Sequence, residues 1–185
     1  MFDKNKQNAV SKLDKSKKGS LDEPLIELVK SINALPNYYT TSSCSGRIVL
    51  LELSTKKEGN NWLLSSHGPI SYNQLSTVLG MIKENEVWFK MEPIIIHVCA
   101  RTIDDADALL KHARSIGLKR GGIISVKPKI CLELQSTEQI NLLIVKDGKI
   151  LVDEHYGKIL VQKANGKLHE THSKITTFEQ SIRKL

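Results

Sequence analysis

An α/β fold of the α+β kind, with helices laid on a mixed β-sheet and no Rossmann unit, is what this sequence of 185 residues predicts. Three observations carry that expectation. Helical and strand-length apolar patterns follow one another in the order α-α-β-β-α-β-α-β-β-β-α, which does not alternate strictly. The composition, 40% hydrophobic and 25% charged, is that of an ordinary globular protein and excludes whole-chain disorder. No Gly-x-Gly-x-x-Gly follows a strand. One compact domain over residues 1–185 is expected, with a basic N-terminal segment over 1–20 and a helical C-terminal segment over 154–185.

Lys6 to Lys15 reads as a short basic helix with Val10 and Leu13 on its buried edge. Ser20 or Asp22 caps a second helix that has Pro24 in its first turn and Leu25, Leu28, Val29 and Ile32 on its apolar face. Asn33-Ala34-Leu35-Pro36 ends it. A polar loop over residues 37–47 then leads into Ile48-Val49-Leu50-Leu51-Glu52-Leu53, an apolar run typical of a strand buried on both faces. Trp62 to Gly68 is a second strand, Tyr72 to Glu86 a helix, and Val87 to Ala100 the longest strand. Asp104-Asp105 opens a helix, well placed against its dipole. Gly122–Lys127, Lys129–Gln135 and Asn141–Val145 are strands, and Asp147-Gly148 joins the last to Ile150-Leu151-Val152 as a hairpin. From Glu154 the chain is helical, weakened at Gly157 and Gly166 by about 1 kcal/mol each. Residues 25–53 and 109–134 share a faint helix-plus-strands plan, ending in Leu51-Glu52-Leu53 and Leu132-Glu133-Leu134, which predicts two related halves.

The net charge is +7, from 27 basic and 20 acidic residues, with a local excess of lysine in the first 20 positions. An anionic partner, nucleic acid before membrane, fits that balance. No apolar run approaches the roughly 20 residues that cross a bilayer, and Met1-Phe2-Asp3-Lys4-Asn5-Lys6 does not lead into an apolar stretch with a cleavage site, so no secretory signal and a cytoplasmic location are expected. Cys99 and Cys131, set among apolar residues, read as small buried core residues. Metal-binding spacings are missing: there is no Cys-x-x-Cys and no His-Glu-x-x-His, and His169 with His172 lies on a solvated helix face. No metal is expected.

The most unusual stretch is Thr40 to Arg47, with five hydroxyls, a thiol, a glycine and an arginine in eight residues. Glycine permits close backbone approach, hydroxyls and amides bind polar groups, and Arg47 can fork onto a phosphate or carboxylate. The same composition could instead make a turn whose hydroxyls bond their own backbone; the density of polar groups favours a binding site. Cys44 beside an arginine invites a nucleophilic reading, though a structural or substrate-lining role is the better one. His67, at a strand end before Gly-Pro, divides evenly between binding and turn. His97, in an apolar strand, leans to a core histidine from its neighbours alone. Glu92 is either a general base or the partner of Arg47 or a lysine. Trp62 either stacks on a base or packs in the core. Asp14, Lys15, Ser16 and Lys18 surround a glycine turn that suits a phosphate contact or an exposed helix end.

Taken together, Asp14-x-Ser16-x-Lys18-Gly19-x-x-Asp22, Tyr39-Thr40-Thr41-Ser42-Ser43-Cys44-Ser45-Gly46-Arg47-Ile48, Trp62 with Ser66-His67, Glu92-Pro93-x-Ile95-x-His97-Val98 and Gly122-Ile123 resemble the wybutosine-synthesis family of tRNA N4-methyltransferases in its compact archaeal-like form. The resemblance runs over nearly the whole chain, and the Tyr-Thr-Thr-Ser-Ser-Cys-Ser-Gly-Arg block is its most specific part. It implies methyl transfer from S-adenosylmethionine to N4 of a tricyclic guanosine derivative beside the anticodon of phenylalanine tRNA, on a fold without the common nucleotide fingerprint. It further implies that Ser42, Ser43, Cys44, Ser45, Gly46 and Arg47 bind the cofactor. His67, His97 or Glu92 would orient or deprotonate the accepting nitrogen, and Asp14, Lys15, Ser16, Lys18 and Trp62 would meet the tRNA. Two departures stand out: Gly121 where the resemblance leads to serine, and Gln135 near where it leads to arginine. The rival reading is a non-catalytic RNA-binding module that uses the same basic surface.

Overall fold

The structure, a computed structural model, describes residues 1–11, 21–53, 59–82 and 85–183. Its helices are α1 (Phe2–Val10), α2 (Ile26–Ala34, entered through a 3-10 turn at Glu23–Leu25), α3 (Tyr72–Leu79), α4 (Ile103–Ser115) and α5 (Glu154–Ile182). The strands are β1 (Tyr38–Cys44), β2 (Arg47–Leu53), β3 (Asn61–Ser66), β4 (Glu86–Glu92), β5 (Ile95–Ala100), β6 (Arg120–Ser125), β7 (Ile130–Gln135), β8 (Ile140–Lys146) and β9 (Lys149–Ile150). They form two sheets, ordered β1-β5-β7-β6 and β3-β2-β4-β8-β9, with every pairing antiparallel. The α+β class therefore stands, but the single mixed sheet is replaced by two antiparallel ones. The apolar runs that look parallel in sequence arise because β2 is a central strand in which consecutive residues Ile48, Val49 and Leu50 are all buried.

The chain builds two compact units. The first comprises Met1–Ser45, Ile94–Thr137 and Thr171–Leu185; the second comprises Gly46–Pro93 and Glu138–Glu170. The expected pair of halves is thus corrected: residues 25–53 are split between the units, and residues 109–134 lie wholly in the first. The local plans also differ, since β6 and β7 form a hairpin while β1 and β2 enter different sheets.

In the first unit, Ile96 and Val98 of β5 and Leu132 and Leu134 of β7 meet Leu28 and Ile32 of α2, Leu109 and Ala113 of α4, and Ile175, Phe178 and Ile182 of α5. Thr102 caps α4 through a capping box with Asp105, which gives the acidic first turn a hydrogen-bonding role besides its dipole interaction. In the second unit, Ile48, Leu50, Phe89 and Met91 pack against Leu75 of α3 and Leu160, Val161, Ala164 and Leu168 of α5. One helix thereby supplies apolar residues to both cores, its buried positions recurring at helical spacing from Gly157 to Ile182.

Three local readings change. The loop expected over residues 37–47 is largely strand β1, because Thr and Ser suit an edge strand with one solvated face. Asn33 accepts from the backbone N–H of Thr40 at 2.8 Å, satisfying a donor at that edge. The long strand over Val87–Ala100 is broken at Pro93, and its two pieces join different sheets. Finally, Cys99 is buried as expected and Cys131 is half-buried, but the two are not independent: they face each other across β5 and β7, Cα–Cα 4.2 Å, and form a disulfide. Only the strand register brings these cysteines, 32 residues apart, together.

The first helix is tied down at its start. Phe2 packs edge-on against Tyr39 at 5.2 Å, and the Arg101 guanidinium lies 4.5 Å over the Phe2 ring while bonding Asp3 at 2.6 Å. Lys6 donates to the carbonyl of Leu35. The helix runs from Phe2 to Val10, earlier than the expected Lys6–Lys15.

Candidate active site

In the first unit the face of the sheet turned away from α2, α4 and α5 carries the polar chemistry. Register places Ser42, His97, Glu133 and Gly122 in one row across β1, β5, β7 and β6. A bulge at Thr41 makes this possible, shifting the register so that Ser42 rather than Thr41 faces His97. His97 Nδ1 lies 2.8 Å from Ser42 Oγ, and Nε2 lies 2.9 Å from Glu133 Oε2. A carboxylate can only accept, so the contact to Glu133 places a proton on Nε2; Nδ1 then faces the Ser42 hydroxyl, accepting from it when the ring carries that one proton and donating to it when the ring carries two. The result is a hydrogen-bonded Ser–His–Glu row, with His97 and Glu133 each about one-third exposed. His97 is therefore not a core histidine: the residues on either side of it face the core, and it faces away.

Adjacent rows frame this one. Cys44, Ile95, Gln135 and Arg120 lie on one side, and Tyr39, Cys99, Cys131 and Ser125 on the other. Arg120 of β6 pairs with Gln135 in register. Gly122 leaves open space beside Glu133, since a Cβ built on it meets nothing within 4 Å. Gly121 is the opposite case. Its φ is +108°, and a Cβ there falls 2.0 Å from the Glu133 carbonyl oxygen, so a serine has no room at this position.

Ser45 is buried, and both its amide (2.9 Å) and its hydroxyl (3.1 Å) donate to the Asp22 carboxylate. Asp22 makes no side-chain cap for the 3-10 turn it precedes; its carboxylate bonds Ser45. This interaction anchors the end of the hydroxyl-rich stretch and occupies a serine expected to meet cofactor.

The second unit holds another polar cluster. Gly46, with φ +91°, turns the chain into β2. Arg47 Nε bonds Glu92 Oε2 at 2.6 Å across the β2–β4 pair, which settles Glu92 as the partner of Arg47. The guanidinium also lies 4.1 Å over the Trp62 ring, and Trp62 is 46% exposed rather than in the core. His67 Nδ1 is 3.0 Å from the Gly46 carbonyl, which orients its ring. Asp14, Lys15, Ser16 and Lys18 lie outside the described residues.

Glu133, which completes this row, is not among the candidate residues that the sequence suggests. Its signal was present as a lone carboxylate between Leu132 and Leu134, the alternation of a strand with one polar face.

Two antiparallel sheets bearing polar clusters, with no glycine-rich nucleotide turn, define an α+β protein outside the Rossmann class. The family model described as Methyltransferase TYW3 matches residues 4–184, and the chain belongs to this methyltransferase family. Among curated relatives, the tRNA(Phe) 7-((3-amino-3-carboxypropyl)-4-demethylwyosine(37)-N(4))-methyltransferase 1 of Pyrococcus furiosus is 38% identical, over 98% of this chain and 94% of its own. The tRNA wybutosine-synthesizing protein 3 homolog of Xenopus laevis is 36% identical, over 97% of this chain and 73% of its own. The solved structure of PH1069 protein from Pyrococcus horikoshii superposes with a TM-score of 0.90 at 34% identity, covering 98% of this chain and 95% of that one. No helix of the described residues is long and apolar enough to cross a membrane.

Proposed function

We propose that this chain methylates N4 of the tricyclic 4-demethylwyosine-type base beside the anticodon of phenylalanine tRNA, with S-adenosylmethionine as donor. The names of its relatives and the family model support that reaction class. The observation that carries the site is the Ser42–His97–Glu133 row.

The donor set suits S-adenosylmethionine. Among the described residues only Nε of Arg47 makes a hydrogen bond or ion pair, so its two terminal nitrogens can take a carboxylate while Glu92 and the Trp62 ring fix the guanidinium. Ser42, Ser43 and Cys44, in the first unit, are polar groups of intermediate or full exposure. The bound cofactor supplies a methyl group already activated on a sulfonium, so positioning carries much of the acceleration.

What remains is a proton. As the ring nitrogen gains its methyl it loses a hydrogen, which the Ser42 hydroxyl accepts while passing its own to His97 Nδ1. Glu133 holds the imidazole by Nε2 and stabilises the imidazolium that forms. Trp62 and the lysine-rich segment that includes Asp14, Lys15, Ser16 and Lys18 serve the RNA.

The test is nucleoside mass spectrometry of phenylalanine tRNA carrying the demethylated base, after incubation with the protein and S-adenosylmethionine. A gain of one methyl on that base is expected, with the rate falling on the order of 10²-fold in His97→Ala. No gain with wild-type protein sinks the reaction, and an undiminished rate in the variant sinks the assignment of the relay.

A further inference from the structure

The excess charge of this protein resides in one place. The first unit contains 17 basic and 10 acidic residues, whereas the second contains ten of each. Within the first unit, the run from Lys119 to Cys131 has Lys119, Arg120, Lys127 and Lys129 and no acidic residue. That run is the β6–β7 hairpin, and β6 is an edge strand.

The hairpin is also unusually apolar at its surface. Ile124 is 55% exposed and Val126 57% exposed, next to Lys127, Pro128 and Lys129, which are exposed as well. An open edge strand with β-branched residues invites unwanted pairing unless charges or a partner shield it. Lys119, Lys127 and Lys129 have no acidic partner among the described residues, so they are not spent within the fold.

We infer that the β6–β7 hairpin is a docking element for an RNA strand. The ammonium groups of Lys127 and Lys129 at its tip neutralise neighbouring phosphates and Lys119 at its base meets the backbone several nucleotides further along, while Ile124 and Val126 lie against sugar and base edges. Charge complementarity argues for this occupant over a protein or lipid surface: a cluster of cations without acids suits a continuous polyanion. The placement is apt. Glu133 of the relay, on β7, lies four residues beyond Lys129, about 13 Å at the usual rise per residue. A strand gripped at the tip therefore runs toward the row that contains His97. The inference rests on the proposed reaction for the identity of the RNA, though not for the chemistry of the hairpin.

The experiment compares wild-type protein with Lys127→Gln/Lys129→Gln, using a synthetic anticodon stem–loop of phenylalanine tRNA for binding and the modified tRNA for turnover. The expected result is binding weakened about tenfold or more at low salt. The slope of log affinity against log salt should fall by about 1.5, as for two lost phosphate contacts. KM for tRNA rises, with kcat at saturating tRNA and the affinity for S-adenosylmethionine unchanged. Methyl transfer with an unaltered salt slope overturns the hairpin and leaves the reaction standing; it is also the outcome expected if the edge docks a protein instead. Loss of RNA affinity in the variant, with no methyl transfer by either protein, supports the hairpin and overturns the reaction.

Discussion

Neighbouring glycines in β6 should respond to alanine in opposite ways. At Gly121 the added Cβ meets the Glu133 carbonyl oxygen at 2.0 Å and its carbon at 2.9 Å, with φ at +108°. Occupying that backbone region costs a non-glycine residue about 1–3 kcal/mol. To relieve the contact β6 must also retreat by roughly 1 Å, which loosens its pairing with β7 at about 1 kcal/mol for each hydrogen bond lost. The sum for Gly121→Ala is about 3–4 kcal/mol, a large share of the roughly 5–15 kcal/mol that holds a domain together. For a chain of this length that corresponds to a melting point lower by about 6–16 °C. At Gly122 nothing lies within 4 Å and φ is ordinary, so Gly122→Ala should be neutral or stabilising by up to about 1 kcal/mol. Thermal unfolding followed by circular dichroism measures both, and hydrogen exchange across residues 120–125 locates the damage. If Gly121→Ala melts within 2 °C (about one measurement's uncertainty on this scale) of wild type, the close approach of β6 to the Glu133 carbonyl is wrong.

Other consequences are as direct. Glu133→Gln removes the charge that holds His97; for a partly exposed charge-assisted bond this is worth about 1–1.5 kcal/mol, so kcat should fall about tenfold in steady-state assays with KM for S-adenosylmethionine unchanged. Phe178→Ala opens a cavity at a fully buried site and should cost about 3–5 kcal/mol, read from denaturant unfolding. The two glycines of α5 should diverge: Gly166→Ala, with open space, gains up to about 1 kcal/mol of helix propensity. At Gly157 a Cβ falls 2.8 Å from the Tyr72 ring, so alanine there gains nothing or destabilises. The Arg101 guanidinium bonded to Asp3 holds that carboxyl below the usual range. Its contribution to docking α1 is therefore complete above about pH 4 and lost as pH falls through the lowered value. Amide exchange over Phe2–Val10, compared between neutral and acidic solution after correction for intrinsic rates, should show that loosening.

Much of this molecule was legible in its residues, and the rest was hidden for identifiable reasons. The helix faces of Leu28 and Ile32, and of Leu109 and Ala113, followed from 3.6-residue spacing, and Asp147-Gly148 announced its hairpin with φ of +50° and +72°. Sheet membership is a non-local property, so nothing near Pro93 revealed that β4 and β5 belong to different sheets. His97 looked like core because its neighbours are core; the strand's two faces separate Ile96 and Val98 from it. Glu133 became meaningful only through register, which brings it to His97 across 36 residues of sequence. The hydroxyl-rich stretch stands out in the sequence but its strand does not, because an edge strand tolerates the same polar residues that make turns.

The interleaving of the two units bears on how the chain is made. Tyr38 pairs with Ala100, and the core that receives Leu28 and Ile32 is completed by Phe178 and Ile182. Emerging at about 5–20 residues per second, the opening segment waits on the order of ten seconds for those last side chains. During that interval the second unit can gather its pieces from residues 46–93 and 138–170 while the first is still short of its final helix turns. The order of synthesis thus favours maturation from the middle of the sequence outward, with the relay of Ser42, His97 and Glu133 set on a core that closes last.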